Sequence, residues 1–364
     1  MSTLFSPFTL KGVTLRNRIA ASPMCQYQAW GGFLNEWHQT HYTALARGGV
    51  GLVVVEATAV APEGRITPAD AGLWSDAHVA SLASVAKAIK AAGAVPGIQL
   101  AHAGRKAGCT PPWEGGQPLD SADPQAWQPV APSAVPFMPG SGYVPRAMTL
   151  DDIGRAQRDF VDAARRAREA GIEWLELHFA HGFLGQNFLS RHTNQRQDQY
   201  GGSLENRARF LVETLRAVRQ VWPAQYPLTV RLGVIEFDAG QAQSLAEATQ
   251  VLQWLKDAGL DLVDVGLALS TPGEEVPWGP NFMLPYTAQI REATALPVAT
   301  SWMITDAQQA DGFVRSGQLD LVFLGRTLLA NPHWPYQAAR ELKIEHPAKV
   351  LPTPYAFWLQ SWSN

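Results

Sequence analysis

The strongest constraint in this chain is an order of elements rather than a repeated sequence. Eight short apolar runs of strand character, residues 18–22, 51–58, 94–101, 172–178, 228–233, 260–265, 296–300 and 319–325, follow one another along its length. Helical stretches over 78–92, 150–170, 204–221, 244–258, 286–293 and 306–316 fall between them. Parallel strands need a crossover, and a helix supplies it. Eight such units predict an α/β fold closed into a parallel (β/α)8 barrel. An open sheet holding a dinucleotide would carry Gly-x-Gly-x-x-Gly after its first strand, and none follows residues 18–22.

The 364 residues fit one barrel domain over 1–364 with insertions. Residues 8–15, with Lys11 and Gly12 at the centre, read as a hairpin plugging the barrel floor. The stretch from about 102 to 148 is rich in Pro, Gly and Trp and has no period; it reads as an insertion capping the mouth after the third strand. The tail from about 346 to 364 is Pro- and aromatic-rich and is expected to dock on its own barrel or on a partner subunit. Charged residues make up 17% and the net charge is -3, which leaves no basic face for nucleic acid. No apolar run approaches the roughly 20 residues that span a bilayer. Two cysteines, Cys25 and Cys109, cannot build a disulfide framework, so a reducing, cytoplasmic location is expected.

In a barrel the chemistry sits where strands end. His178 and His181 lie three residues apart at the end of the fourth strand. They read as a pair binding an anionic or carbonyl oxygen, as a metal half-site, or as two surface histidines. Gly325-Arg326, after the eighth strand, fits a phosphate site or a surface salt bridge. Arg231, inside the fifth strand, needs an anion: a ligand edge, or a core carboxylate such as Glu56 or Glu176. Gln99, on the third strand, can meet a donor–acceptor ring edge or make a core hydrogen bond. Cys25, at the first strand's end, is a nucleophile, a tuner of a nearby ring, or a buried apolar residue; no third group completes a Cys–His pair. Tyr27 offers a phenol to donate a proton or a hydrogen bond.

Six blocks in order carry a family resemblance: residues 22–27 (Ser-Pro-Met-Cys-Gln-Tyr), 56–60 with 63–65, 99–106 (Gln-Leu-Ala-His-Ala-Gly-Arg-Lys), 176–182 (Glu-Leu-His-Phe-Ala-His-Gly), 198–207 and 324–326 (Leu-Gly-Arg). The chain resembles the old yellow enzyme family, within it the xenobiotic reductase and thermophilic-like subgroup. The resemblance implies an FMN-dependent barrel that takes hydride from NADPH and reduces activated alkenes. It implies that Ser22, Pro23, Met24 and Cys25 contact the flavin ring, with Cys25 tuning its redox chemistry. Ala57 and Gln99 would hold the ring's polar edge, Arg231 its N1–O2 side, and Gly325 and Arg326 the phosphate. His178 and His181 would bind the substrate's carbonyl or nitro oxygen. Trp302 would shape the cofactor and substrate pocket with Trp358, whose tail would reach a second subunit of a homodimer or larger oligomer.

One departure stands out. Phe183 occupies the place of the family's usual tyrosine, which protonates the α-carbon. Phenylalanine has no proton to give, so Tyr27 or a water would substitute. Nitro and quinone reduction depend less on that proton. Two other readings compete. A metal-dependent hydrolase built on His178 and His181 lacks further ligands at other strand ends. An iron–sulfur relative needs four cysteine ligands, and this chain has two cysteines.

Overall fold

The computed structural model describes residues 3–238 and 240–362. Residues 1, 2, 239, 363 and 364 of the expected single domain lie outside the described residues. The chain opens with an antiparallel hairpin, β1 (Phe8–Leu10) and β2 (Val13–Leu15). Next come β3 (Ile19–Ala21), α1 (Glu36–Arg47), β4 (Leu52–Ala59), α2 (Val79–Ala91) and β5 (Val95–Ala101). The cap insertion then contributes 3-10 turns at Gly104–Lys106 and Pro112–Glu114 and the short pair β6 (Val130–Ala131) and β7 (Arg146–Ala147). The alternation resumes with α3 (Leu150–Glu169), β8 (Trp174–Phe179), α4 (Leu184–Leu189), α5 (Leu204–Val221), β9 (Leu228–Ile235), α6 (Gln241–Asp257) and β10 (Leu262–Leu267). It closes with α7 (Leu284–Thr294), β11 (Val298–Thr300), α8 (Ala307–Arg315), β12 (Leu321–Leu324), α9 (Arg326–Ala330), α10 (Trp334–Glu341) and α11 (Thr353–Leu359).

Strands β3, β4, β5, β8, β9, β10, β11 and β12 pair in that order, all parallel, and β12 meets β3 to close the ring. The eight expected strands are these eight, with ends moved by one or two residues. Helices cover the outside and side chains fill the inside, so β4, β8, β9 and β10 are buried along their whole length. The hairpin plugs the floor as expected: Phe8, Val13 and Leu15 pack on Leu52, Trp174 and Phe323. Burying each such side chain is worth about 1.5–3 kcal/mol. Lys11 pairs with Asp261 at 3.0 Å, and Gly12 N–H donates to Gln225 O at 2.8 Å, pinning the plug to the barrel.

Helix α1 escapes a reading by apolar period because two of its four inward residues are polar: His38, Tyr42, Leu45 and Ala46. Its start is nonetheless marked, since the Asn35 side chain accepts the Trp37 N–H. A β-bulge in β4 follows. Val55 pairs with Ile98, yet Ala57 pairs with Gln99, so Glu56 is the extra residue. Glu56 turns to α1, where Tyr42 Oη donates to Oε1 at 2.8 Å, and Gln26 N–H donates to Oε2 at 2.9 Å. Burial raises its carboxyl to about 8.

Candidate active site at the barrel mouth

Strand register assembles a polar layer inside the barrel. Gln99 of β5 lies opposite Glu176 of β8, His178 opposite Arg231 of β9, and Arg231 opposite Asp264 of β10. Gln99 Nε2 donates to Glu176 Oε1 at 2.8 Å. Burial, then the charge of Asp264, raises the Glu176 carboxyl to about 8, against the pull of Arg231. The Arg231 guanidinium donates through Nη2 to Ser301 Oγ at 2.7 Å. Its Nε lies 3.1 Å from Asp264 Oδ2, an ion-pair distance without hydrogen-bond alignment. The core partner of Arg231 is thus Asp264 rather than Glu56 or a direct Glu176 pair. The adjacency of β9 and β10 decides this, and Glu56 is turned away by its bulge.

His178 and His181 stand edge to face with ring centres 4.8 Å apart. Burial holds both imidazoles well below the ordinary histidine range, and the Arg231 charge adds to it, so both rings are neutral near pH 7. The Ala180 N–H donates to His178 Nδ1 at 3.2 Å. A nitrogen that accepts carries no proton, so the neutral ring has its N–H on Nε2. Phe183 packs its ring 4.7 Å from His178, and Trp302 lies 5.6 Å from His181.

Lys106, within the 99–106 block but given no role by it, completes this turn. Its Nζ donates to His181 O at 2.7 Å and Leu269 O at 2.9 Å, with the Phe137 ring 4.2 Å away. Burial, then repulsion from Arg105, lowers the ammonium to about 7.

The loop after β3 comes in from the opposite side of the ring. Ser22 N–H donates to Leu324 O at 2.9 Å, which seats the loop against β12. Met24 Sδ would be 3.6 Å from a Cβ on Gly325, so the two segments touch. The Tyr27 phenol lies beside the Cys25 thiol. Burial raises both groups well above their ordinary values, so each holds its proton. Tyr27 also meets Trp113 of the cap, ring centres 5.6 Å apart. Ala57 is buried on β4. Pro23 lies half-buried between Ser22 and Met24. Arg326 opens α9, is exposed, and makes no ion pair among the described residues.

Trp358 alone of the expected residues stands apart. It sits on α11, 75% exposed, against Phe357 of its own helix. The tail docks on its own chain through Ala356 and Leu359, which pack on Tyr336, Ala348 and Leu351. The opposite face is left bare.

The mouth fits a polar ring. His181 Nε2, Arg231 Nε and Trp302 Nε1 are buried without a hydrogen-bond partner among the described residues. A Cβ on Gly266 would lie 3.6 Å from both Arg231 Nε and His181 Nε2, so these two nitrogens converge over a residue with no side chain. Arg231 Nε already faces Asp264, so His181 Nε2 and Trp302 Nε1 are the nitrogens left open; leaving such groups unpaired costs about 1–3 kcal/mol each, which a ligand edge recovers. For a hydrolase, His178 and His181 would need a further metal ligand. Among the described residues the one grouping of three candidate ligands is His192, Glu236 and Asp238, which excludes both.

The floored (β/α)8 barrel carries two neutral histidines and a buried arginine at its mouth, which makes it an enzyme-type barrel with a site for an oxygen or an anion. The comparisons name the family within that class. A model of the NADH:flavin oxidoreductase / NADH oxidase family matches residues 3–345. The NADPH dehydrogenase of Geobacillus thermodenitrificans is 42% identical over 352 residues, 96% of this chain and 97% of that one. The NADPH dehydrogenase of Bacillus subtilis is 39% identical, over 95% of this chain and 97% of its own. Morphinone reductase, a solved structure, superposes with a TM-score of 0.78 at 29% identity, over 93% of this chain and 90% of its own. The chain belongs to this family of FMN-dependent oxidoreductases, the old yellow enzyme family that its six blocks resemble. No helix among the described residues is long and apolar enough to cross a membrane.

Proposed function

We propose that this enzyme takes electrons from NADPH and reduces activated C=C bonds, those of α,β-unsaturated carbonyl compounds, together with nitro compounds and quinones. The observation that carries this reading is the neutral pair His178 and His181, with a donor fixed on His178 Nε2 beside the cationic Arg231. When bound, FMN supplies the hydride chemistry, accepting from NADPH and giving to the electron-poor carbon. The chain's own residues do the rest. His178 and His181 hold the substrate oxygen and stabilise the negative charge that grows there, a role that strengthens toward the transition state. Arg231 and Gln99 would hold the cofactor's polar edge, Gly325 and Arg326 its phosphate, and Ser22 to Cys25 with Ala57 and Trp302 its ring. Cys25 would act as tuner rather than nucleophile, since burial raises its thiol and holds it protonated.

The protonation step is where this chain differs. Phe183 has nothing to donate, and burial raises the Tyr27 phenol, which makes it a weaker acid. Tyr27 or a water would then supply the α-carbon proton. This favours quinone and nitro acceptors over alkenes, which is the second reading. The bare face of α11, with Phe357 and Trp358 60% and 75% exposed, supports a homodimer or larger oligomer in which Trp358 meets the partner's mouth.

Anaerobic stopped-flow spectroscopy tests both. NADPH is added, then 2-cyclohexenone or, separately, a quinone or nitro compound. Bleaching followed by fast reoxidation by the enone supports alkene reduction. Slow enone but fast quinone reoxidation moves the function to the second reading. No bleaching by NADPH sinks both.

A further inference from the structure

Under the cap insertion lies a cavity of about 280 Å³, near the lower end of the ~300–1,000 Å³ typical of small-molecule pockets. Lys106 and Phe183 form the wall nearest the histidines, and Ile66, Cys109, Phe137 and Met138 supply much of the apolar remainder. Phe183 belongs to both spaces, because its ring also stands 4.7 Å from His178. Phe183 is therefore the single side chain that separates the cavity from the oxygen-binding pair.

Its polar groups are already engaged. Tyr143 Oη donates toward the carbonyls of Trp127 at 3.1 Å and of Ala107 and Gly108 at 3.3 Å. The Lys106 ammonium is spent on two carbonyls and the Phe137 face. Cys109 Sγ donates to Lys106 O at 3.6 Å. Arg105 donates to Val135 O, Pro136 O and Ser270 O, and its unpartnered Nε has no surface open to the cavity. Thr110 Oγ1 accepts the Gln117 N–H at 3.1 Å, Gln117 Nε2 donates to Gly115 O at 2.9 Å, and Ser141 Oγ accepts the Tyr143 N–H at 3.2 Å, so what remains for a ligand is mainly apolar wall. A charged or strongly polar group placed there would lose its hydration without compensation.

We propose that this cavity is a subsite for an apolar substituent of the acceptor, an aromatic ring or short alkyl chain borne on the alkene. The occupant follows from this adjacency: a substituent reaching past Phe183 from an oxygen held by His178 and His181 enters a space whose open walls are mainly apolar. The subsite rests on the reading that the acceptor is an electron-poor alkene held by the two histidines.

The test compares 2-cyclohexenone with its 2-phenyl and 3-phenyl derivatives on the wild-type holoenzyme and on Cys109→Phe, which fills the cavity. The expected result is an about 10-fold rise in KM for a phenyl-bearing substrate, with 2-cyclohexenone within about twofold. A second readout needs no variant and no turnover. Alkylation of Cys109 by iodoacetamide, followed by peptide mass spectrometry, should be slowed by the phenyl-bearing enone and not by 2-cyclohexenone. Equal shifts for all three substrates, or no shift together with unprotected Cys109, overturn the subsite. If the wild type oxidises NADPH yet reduces none of the enones, the functional reading fails instead, and Cys109 protection still reports on the cavity.

Discussion

The Lys106 ammonium donates to the main-chain oxygen of His181 at 2.7 Å and ties it to Leu269 O at 2.9 Å. All three backbones it touches or spans are left-handed: φ is 58° at His181, 69° at Gly182 and 47° at Leu269. Non-glycine residues in that region cost on the order of 1–3 kcal/mol each. A Cβ at Gly182 would lie 2.8 Å from Nζ and 2.4 Å from Leu269 O, so only glycine fits there. The lysine thus offsets the strain of the turn that aims His181.

Replacing it tests the clamp. Lys106→Met should weaken phenol binding about 10-fold, the loss expected of one hydrogen bond from a charged donor, while FMN content is unchanged. The pH dependence carries a sign. The ammonium is lowered to about 7 from 10.5, so it becomes neutral as pH rises through 7. Arg105, Glu274 and Cys109 are the charges acting on it. Wild-type affinity for phenol, itself neutral below pH 9, should fall between pH 6 and 8.5, whereas Lys106→Met should be flat. Absorbance titration measures both. A wild type without that slope removes the charge from the clamp.

His178→Ala removes a donor fixed by the Ala180 N–H. Loss of one such donor costs about 10²–10³ in rate. Enone reduction should fall by that order in stopped-flow reoxidation, and phenol should bind weakly. Undiminished enone turnover would take the oxygen-holding role from this residue.

Glu176 offers a stability test. Its carboxyl is raised from 4.5 to about 8, so the folded chain keeps a proton that the unfolded chain releases in between. Stability therefore falls as pH climbs from about 4.5 to 8, and the full cost is present above 8. Glu176→Gln does not titrate, and its side-chain carbonyl can still accept from Gln99 Nε2. The variant should match the wild type at pH 5 and melt roughly 2–4 °C higher at pH 8.5. Thermal denaturation followed by circular dichroism reads the difference, and equal melting at both pH values would mean the carboxyl is already neutralised by Arg231.

The bare face of α11 predicts association. Sedimentation velocity should show a dimer or larger species for the wild type, and Trp358→Ser should shift it toward monomer or raise KM for the enone. A monomeric wild type with unchanged kinetics in the variant would leave the tail without a partner.

Much of this was legible because barrels place chemistry at strand ends, and strand ends are readable from apolar runs. The eight strands, the hairpin plug and the pair His178 and His181 followed from period and position alone. Three features did not. Asp264 meets Arg231 only because β10 lies beside β9 in register, and one strand's pattern does not show its neighbour's. Glu56 is turned outward by a one-residue bulge, which reverses the face that alternation assigns. Lys106 sits in a recognisable block, but its work depends on left-handed turns at 181, 182 and 269 that no local propensity announces for histidine or leucine.

Phe183→Tyr asks most directly what this chain has given up. The ring lies between His178 and the cap cavity, so a hydroxyl added at its far edge enters a space bounded by Lys106 rather than a packed core. General-acid help is worth on the order of 10²–10⁴. Enone-driven reoxidation should therefore accelerate by at least tenfold in the variant, while bleaching by NADPH and reoxidation by a quinone stay within about twofold. The selectivity of the effect is the point. A rise in every rate would indicate a general change in the mouth, and an unchanged enone rate would mean that another group already delivers the proton. In the second case Tyr27→Phe separates the remaining donors. A loss there assigns the proton to the phenol, and no loss leaves it to solvent.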